Sequence, residues 1–247
     1  MTDSLIVRGP AALERPSFIK ANDTRGTENI LTADIRPPAL KLAQAMSPEV
    51  KRAEPDYIEG LREGELFNSL TQEVYGENAV NLIIVNQLGH RNMEFDPIDR
   101  KIVLDGVVPD GDPRTEFTFK EENGQKVRIK PRATKFYDYL ILLLLPDREP
   151  QLMTLSLKST QLKKATQLNT LLKLSKLASF AHRFKATPVP ERRGNNSWYG
   201  WRFDLNGWPT EAEYVEAEAC YDRMLYRKII VEAEAIDETT DDCFIGF

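Results

Sequence analysis

Lys135-Phe136-Tyr137-Asp138-Tyr139-Leu140-Ile141-Leu142-Leu143-Leu144-Leu145, followed by Pro146-Asp147-Arg148-Glu149-Pro150 and then Leu152 to Leu157, decides how the fold is read. The two apolar runs are strand-length, and the loop between them carries a proline at each end, which suits a hairpin-like connection. The apolar stretch Tyr139 to Leu145 is far shorter than the roughly 20 residues of a membrane-spanning helix. It therefore reads as a buried strand of a globular core.

Working outward, Ala79 to Leu88 (AVNLIIVNQL) is rich in β-branched residues and follows the turn-forming Gly76-Glu77-Asn78, so it reads as a second buried strand. Shorter extended segments are expected at Glu65 to Leu70, Lys101 to Leu104, Thr115 to Lys120 and Lys126 to Lys130, with Gly-Asp-Pro and Asn123-Gly124 among the turn signals. The segments around Phe117 to Phe119 and Lys126 to Lys130 alternate with period two, which predicts one buried and one wet face for each. In the second segment the wet face is wholly basic.

Ser159 or Thr160 is the expected N-cap of a helix running to about Ala178, through good helix formers. A last strand is expected around Trp198 to Leu205. A second helix is expected from Thr210, with Glu211 and Glu213 complementing the dipole of its first turn. A short helical stripe is also read at Leu40, Leu42, Ala43 and Met46, closed by Ser47-Pro48.

Several short strands with one helix before the last predict a β-rich α+β chain built on a partly open, five-stranded barrel of the oligonucleotide-binding class, with added helices and disordered ends. The expected parts are a flexible arm over 1–35, the binding core over 36–208, a C-terminal helix over 209–231 and an acidic disordered tail over 232–247.

The chain has 247 residues and a formal net charge of -5, but its charge is unevenly distributed. Residues Lys120 to Arg193 hold 16 Lys and Arg against 6 Asp and Glu, whereas the rest holds 17 against 32. A basic centre between acidic ends attracts polyanions through its local field, whatever the global sum. The same pattern arises if the charges merely occupy separate solvated faces. Only Cys220 and Cys243 are present, which supports neither a disulfide framework nor a cysteine-rich metal site. With no basic-then-apolar leader at the start, a reducing cytoplasm is the expected compartment.

Basic and aromatic residues interleave within that centre. The expected nucleic-acid contacts are Lys126, Arg128, Lys130, Arg132, Lys135, Tyr137, Lys158, Lys163, Lys164, Arg183, Lys185, Arg192, Arg193, Tyr199 and Trp201. Unpaired bases stack on flat side chains while Lys and Arg neutralise phosphates, and a double helix hides the faces that stack, so the mixture favours single strands. The tip Arg192-Arg193-Gly194-Asn195-Asn196 suits a mobile loop beside Trp198, Tyr199 and Trp201. Alternation turns at least one of these aromatics inward, and Tyr199 is taken as the outward one. Lys163, Lys164, Lys173 and Lys176 also fit the solvated side of an amphipathic helix.

Residues 232–247 carry six acidic residues and no Lys or Arg, and end Asp241-Asp242-Cys243-Phe244-Ile245-Gly246-Phe247. Apolar residues in such a tail suit a peptide ligand for a partner's basic-rimmed pocket, or docking on the chain's own core. This segment resembles the acidic, phenylalanine-ended tip of bacterial and phage single-stranded DNA-binding proteins, with Gly246 where the bacterial tip has proline. Pro38 to Ser47, Gly64 to Ser69 and Leu157 to Ala165 resemble segments of a phage replication and recombination protein group associated with single-strand binding. The resemblance implies an oligonucleotide-binding fold, protection of single strands in replication, recombination or repair, and recruitment of replication or recombination proteins through Asp241, Asp242, Phe244, Ile245 and Phe247. A homo-oligomer is compatible with it.

No phosphate-binding Gly-Lys loop, zinc-protease helix motif or esterase elbow is present, and His90 and His182 are far apart in sequence. The expectation is a non-enzyme with no cofactor and no metal. A metal-dependent nuclease is the enzymatic rival, through Asp147 and Lys158, but Ser156 stands where that pattern needs an acid. A strand-annealing recombination mediator is a close relative of the single-strand-binding reading. A protein-only interaction hub would account for the acidic tail but not for the basic, aromatic centre.

Overall fold

A computed structural model describes residues 25–26, 38–96, 102–122 and 124–226. The expected tail, and the expected arm apart from residues 25–26, lie outside these.

Three antiparallel sheets form the framework of the described chain. β1 (Leu40–Leu42), β2 (Leu66–Asn68) and β3 (Val74–Gly76) form the first. The largest contains β4 (Val80–Phe95), β5 (Ile102–Val108), β8 (Ala133–Leu144), β9 (Gln151–Lys158), β10 (Arg183–Arg193) and β11 (Asn196–Leu205), in the order β11-β10-β4-β8-β9 with β5 on β4. β6 (Thr118–Glu122) and β7 (Gln125–Ile129) pair only with each other. Among the described residues there are two α-helices, α1 (Leu162–Ser175) and α2 (Glu211–Tyr226). The chain is thus β-rich, with open sheets.

β4 holds the large sheet together. Its first residues pair with β10 on one edge, its last with β5 on the same edge, and β8 runs along the other. Two register shifts, between Ile84 and Asn86 and between Gln87 and Gly89, bend the strand so that its two ends serve different neighbours. Gly89, at φ 109°, sits at the second, where a side chain would strain the backbone.

Alternation on β8 separates two cores. Tyr139, Ile141 and Leu143 face Leu82, Ile84, Met153, Leu155, Phe184 and Trp201, with Ala165 and Leu168 of α1 closing over them. Leu140, Leu142 and Leu144 face the other way, onto Ile83, Val85, Phe180 and the Ala217 and Cys220 face of α2. Thr210 and Glu213 cap α2 reciprocally: the Glu213 amide donates to Thr210 Oγ1 at 3.3 Å and the Thr210 amide to Glu213 Oε2 at 2.9 Å.

β9 and β11, the two ends of the sheet path, do not pair. Side chains and residues 38–44 fill the gap between them. The Thr154 amide donates to the Pro38 carbonyl at 2.8 Å. Gln44 accepts from the Tyr199 amide and donates to the Tyr199 carbonyl, each at 2.9 Å, and Gln161 Oε1 accepts from the Trp201 amide at 3.0 Å. Two glutamine amides thereby stand in for a missing strand along the edge of β11.

Three local expectations are corrected. The stripe at residues 39–46 is not helical: Leu40 and Leu42 point into the core two residues apart, as a strand requires, while Met46 is exposed. Neither Ser159 nor Thr160 caps α1. A 3-10 turn over Ser159–Gln161 precedes that helix, and no side chain caps its first residue. β6 and β7 do not bury one face each, because every residue of both strands is exposed.

Candidate nucleic-acid interface

The β6–β7 ribbon is inserted between β4 and β8 in sequence. Its register pairs Phe119 with Arg128, Glu121 with Lys126 and Lys120 with Val127. Residues directly opposite share a face, so Phe119, Glu121, Lys126 and Arg128 lie together on one side. The Arg128 guanidinium also sits 3.5 Å from the ring centre of Phe117, and Phe119 is 65% exposed. Lys130 follows, exposed, just past β7. The opposite face carries Val127 and an ion pair between Lys120 and Glu122 at 2.9 Å. Because the register sends Phe119 and Val127 to opposite faces, neither face is apolar enough to bury.

At the foot of the ribbon the expected cations are paired. Glu94, itself buried, accepts from Arg132 at 2.8 Å and from Arg114 at 2.5 Å. Asp110 accepts from Asn92 at 2.9 Å and lies 2.6 Å from His90 Nε2 and 3.9 Å from Lys135 Nζ. The Asn92 and His90 hydrogen bonds hold the Asp110 carboxyl below its usual range. Asp112, clasped by the side chain and then the backbone amide of Arg114, is held at about 2. Tyr137 is half-buried, its ring centre 5.8 Å from that of His90.

Lys158 lies opposite Phe136 across the β8–β9 pairing, with Nζ 5.2 Å from that ring centre. On the same strands Ser156 Oγ donates to Asp138 at 2.5 Å, and Asp138 accepts from Arg91 Nε at 2.8 Å. The serine of the nuclease-like pattern is therefore bound to a carboxylate already held by arginine. Among the described residues, no group of three or more His, Cys, Asp and Glu could hold a metal ion.

The β10–β11 hairpin presents Arg192 and Arg193 at its exposed tip and Lys185 further down. Arg192 Nε donates to the Gly194 carbonyl at 3.0 Å. Arg183, half-buried, reaches Glu213 at 3.4 Å. On α1, Lys163 is exposed, whereas Lys164 Nζ lies 3.8 Å from Glu191.

Two aromatic expectations are overturned here. Trp201 is only 4% exposed and belongs to the core, so its ring is not a stacking surface. Tyr199 shares its strand face and packs on that core, over Gly64, where an added Cβ would meet the Tyr199 ring at 2.6 Å. The outward residue is Trp198, half-exposed, with Nε1 donating to Glu191 at 2.9 Å. Alternation carries that signal: once Trp201 is inward, Tyr199 must follow and Trp198 must face out.

The sequence pattern does not single out Phe117, Phe119 or Trp208 as contacts. Trp208 is 67% exposed, with its ring centre 5.2 Å from that of His182. The structure thus gathers Lys126, Arg128 and Lys130 with exposed phenylalanines, and Lys185, Arg192 and Arg193 on one hairpin. It ties Arg132, Lys135, Lys164 and Arg183 to carboxylates. Asp241, Asp242, Phe244, Ile245 and Phe247 lie outside the described residues.

No helix among the described residues is long and apolar enough to cross a membrane. No curated protein and no solved structure matches the chain. A family model described as Pam3 phage gp34-like protein matches it over residues 8–229. That match spans nearly the whole sequence and includes every described element up to α2, so the chain belongs to the Pam3 phage gp34-like protein family.

Proposed function

We propose that this phage-family protein binds single-stranded DNA without catalysis, on a partly open barrel of the oligonucleotide-binding type, during phage replication or recombination. The pairing pattern supports the barrel. β4, β8, β9, β10 and β11 act as its five strands, with α1 between the third and fourth and the opening between the third and fifth. In that class, nucleic acid is held by the second and third strands and by the loops joining the first to the second and the fourth to the fifth. Here those loops are the β6–β7 insertion and the Arg192–Arg193 hairpin tip.

The observation that carries the reading is the ribbon face on which Phe117, Phe119, Arg128 and Lys126 stand exposed together, with Glu121 the acidic residue opposite Lys126. Rings this exposed bury little surface against the described residues. Beside cations they match the combination of stacking and phosphate neutralisation that single strands require. The segment holding Asp241, Asp242, Phe244, Ile245 and Phe247 acts in recruiting replication or recombination proteins.

Fluorescence anisotropy of the full chain with a labelled single strand and its duplex, at two salt concentrations, tests the proposal. The single strand binds more tightly, and salt weakens it steeply. Phe119→Ala removes stacking worth about 1–3 kcal/mol, or roughly 5- to 150-fold in affinity. Equal binding of the duplex, or an unchanged affinity in a folded Phe119→Ala variant, overturns the ribbon as the site.

A further inference from the structure

α1 buries Ala165 and Leu168 against the barrel and packs Leu172 beside them, which is the expected amphipathic face. Its leucines do not stop there. Leu171 is 39% exposed, Leu174 73%, and Leu177, just past the helix, 52%. Leu171 and Leu174 are one turn apart and form a stripe on the solvent side. Lys173 and Lys176 come next to Leu174 and Leu177 in sequence, and both are exposed. From Gln161 to Ala178 there are four lysines and no acidic residue. An apolar stripe rimmed by one sign of charge marks a docking surface for a ligand of the opposite charge that carries apolar anchors.

The chain contains such a ligand. Residues 232–247 hold six acidic residues, no Lys or Arg, and the anchors Phe244, Ile245 and Phe247. We infer that this acidic segment docks on the Leu171–Leu174–Leu177 stripe of its own chain, its carboxylates against Lys173 and Lys176 and its aromatic residues on the leucines. Reach is sufficient. α2 packs on the 3-10 turn over Ser179–Ala181 that follows α1, since Phe180 lies 5.1 Å from Tyr214 and 5.8 Å from Tyr221, ring centre to ring centre. From Tyr226 to Phe244 the backbone can span about 60 Å at roughly 3.3 Å per residue, against about 21 Å for the length of α1. Docking of this kind holds the segment away from a partner protein until the partner competes for the same anchors. The inference does not depend on nucleic-acid binding.

The test uses the full chain and its native cysteine. Cys220 is 2% exposed and its thiol is pushed up by burial, so a nitroxide reagent attaches selectively at Cys243. Paramagnetic broadening is then read on the backbone amides. Signals of residues 171–177 lose at least half their intensity, those of β6 and β7 do not, and Leu174→Glu or Lys173→Glu with Lys176→Glu restores them. Leu174 is so exposed that its replacement leaves the fold intact, which the unchanged spectrum of the barrel residues verifies. Labelled chain mixed with isotope-enriched, unlabelled chain leaves the enriched signals unbroadened. Broadening spread evenly, centred elsewhere, absent, or transferred between chains in the mixture overturns the inference.

Discussion

Gly64→Ala is the substitution whose effect separates a buried Tyr199 from a nucleic-acid-facing one. Gly64 has φ 84°, a conformation in which alanine costs roughly 1–2 kcal/mol relative to glycine. Its new methyl group would also stand 2.6 to 2.9 Å from three atoms of the Tyr199 ring. The ring cannot swing away freely, because Gln44 grips the Tyr199 backbone on both its amide and its carbonyl. Overpacking of this kind costs about 1–3 kcal/mol, so the single variant loses about 2–5 kcal/mol in total. In a Tyr199→Ala background the steric part vanishes and only the backbone part remains. Urea denaturation of the four proteins in the cycle therefore returns a coupling of about 1–3 kcal/mol. Additivity within about 0.5 kcal/mol would mean that Tyr199 does not lie over Gly64, and the outward assignment of that ring would return.

Gln161→Ala leaves the Trp201 amide without its acceptor and lowers stability by about 1–3 kcal/mol; an unchanged urea midpoint would show that the gap between β9 and β11 is closed by something else. Phe119→Ala leaves that midpoint unchanged, since the ring is mostly in water, and a clear loss of stability would place the ribbon in the core. The Asp112 carboxyl is held at about 2 against a reference of 3.8. A lowered folded pKa means its contribution is present above the reference value and lost as pH falls from about 4 through about 2. The Arg114 Nε–H resonance reports this loss, and one that disappears already at pH 5 contradicts the clasp. Deleting Phe244 to Phe247 abolishes pull-down of a replication partner while leaving single-strand affinity equal or higher; weaker affinity would contradict a recruiting role.

How far the sequence can be read depends on which residues have their environment fixed locally. β4, β8 and β9 stand out because continuous apolar runs bounded by turn signals have few other uses. Thr210 and Glu213 announce α2 because a capping box is a local device. The stretch Leu40 to Met46 misleads because Leu42, Ala43 and Met46 fit a helical period while Leu40 and Leu42 fit a strand's, and a distant carbonyl contact, Pro38 to Thr154, decides for the strand. The ribbon misleads for a different reason, although its register is available in the sequence. Counting back from the Asn123-Gly124 turn pairs Glu122 with Gln125 and hence Phe119 with Arg128, which sends the two apolar sets to opposite faces. Period two within each strand does not say which faces coincide. Tyr199 and Trp201 pose the same question within one strand, where one inward ring fixes the other. The glutamine bridges from Gln44 and Gln161 are not legible at all, since nothing local marks a side-chain amide that replaces a strand.

The same difference between chain order and space governs the electrostatics. Counted along the chain, Lys120 to Arg193 looks uniformly basic. In space, Arg132 meets Glu94, Lys135 nears Asp110, Lys164 nears Glu191 and Arg183 meets Glu213. A cation held by a carboxylate gives little net field at a distance, because the pair is a dipole and surface salt screens what is left. Pairing of these four shifts the balance of positive charge toward two exposed places, the ribbon, where Lys126 and Arg128 outnumber Glu121 on one face, and the hairpin tip with Arg192. Both lie on exposed residues of their sheets, and the ribbon places exposed rings among its cations. A chain with formal net charge -5 can thus present a polyanion with two localised attractive arms while its acidic remainder repels non-specific approach. Reversing Arg128 to Glu therefore weakens single-strand binding more than reversing Arg132 to Glu, although both change the net charge equally. Equal losses from the two reversals would mean that total charge, rather than its placement, governs binding.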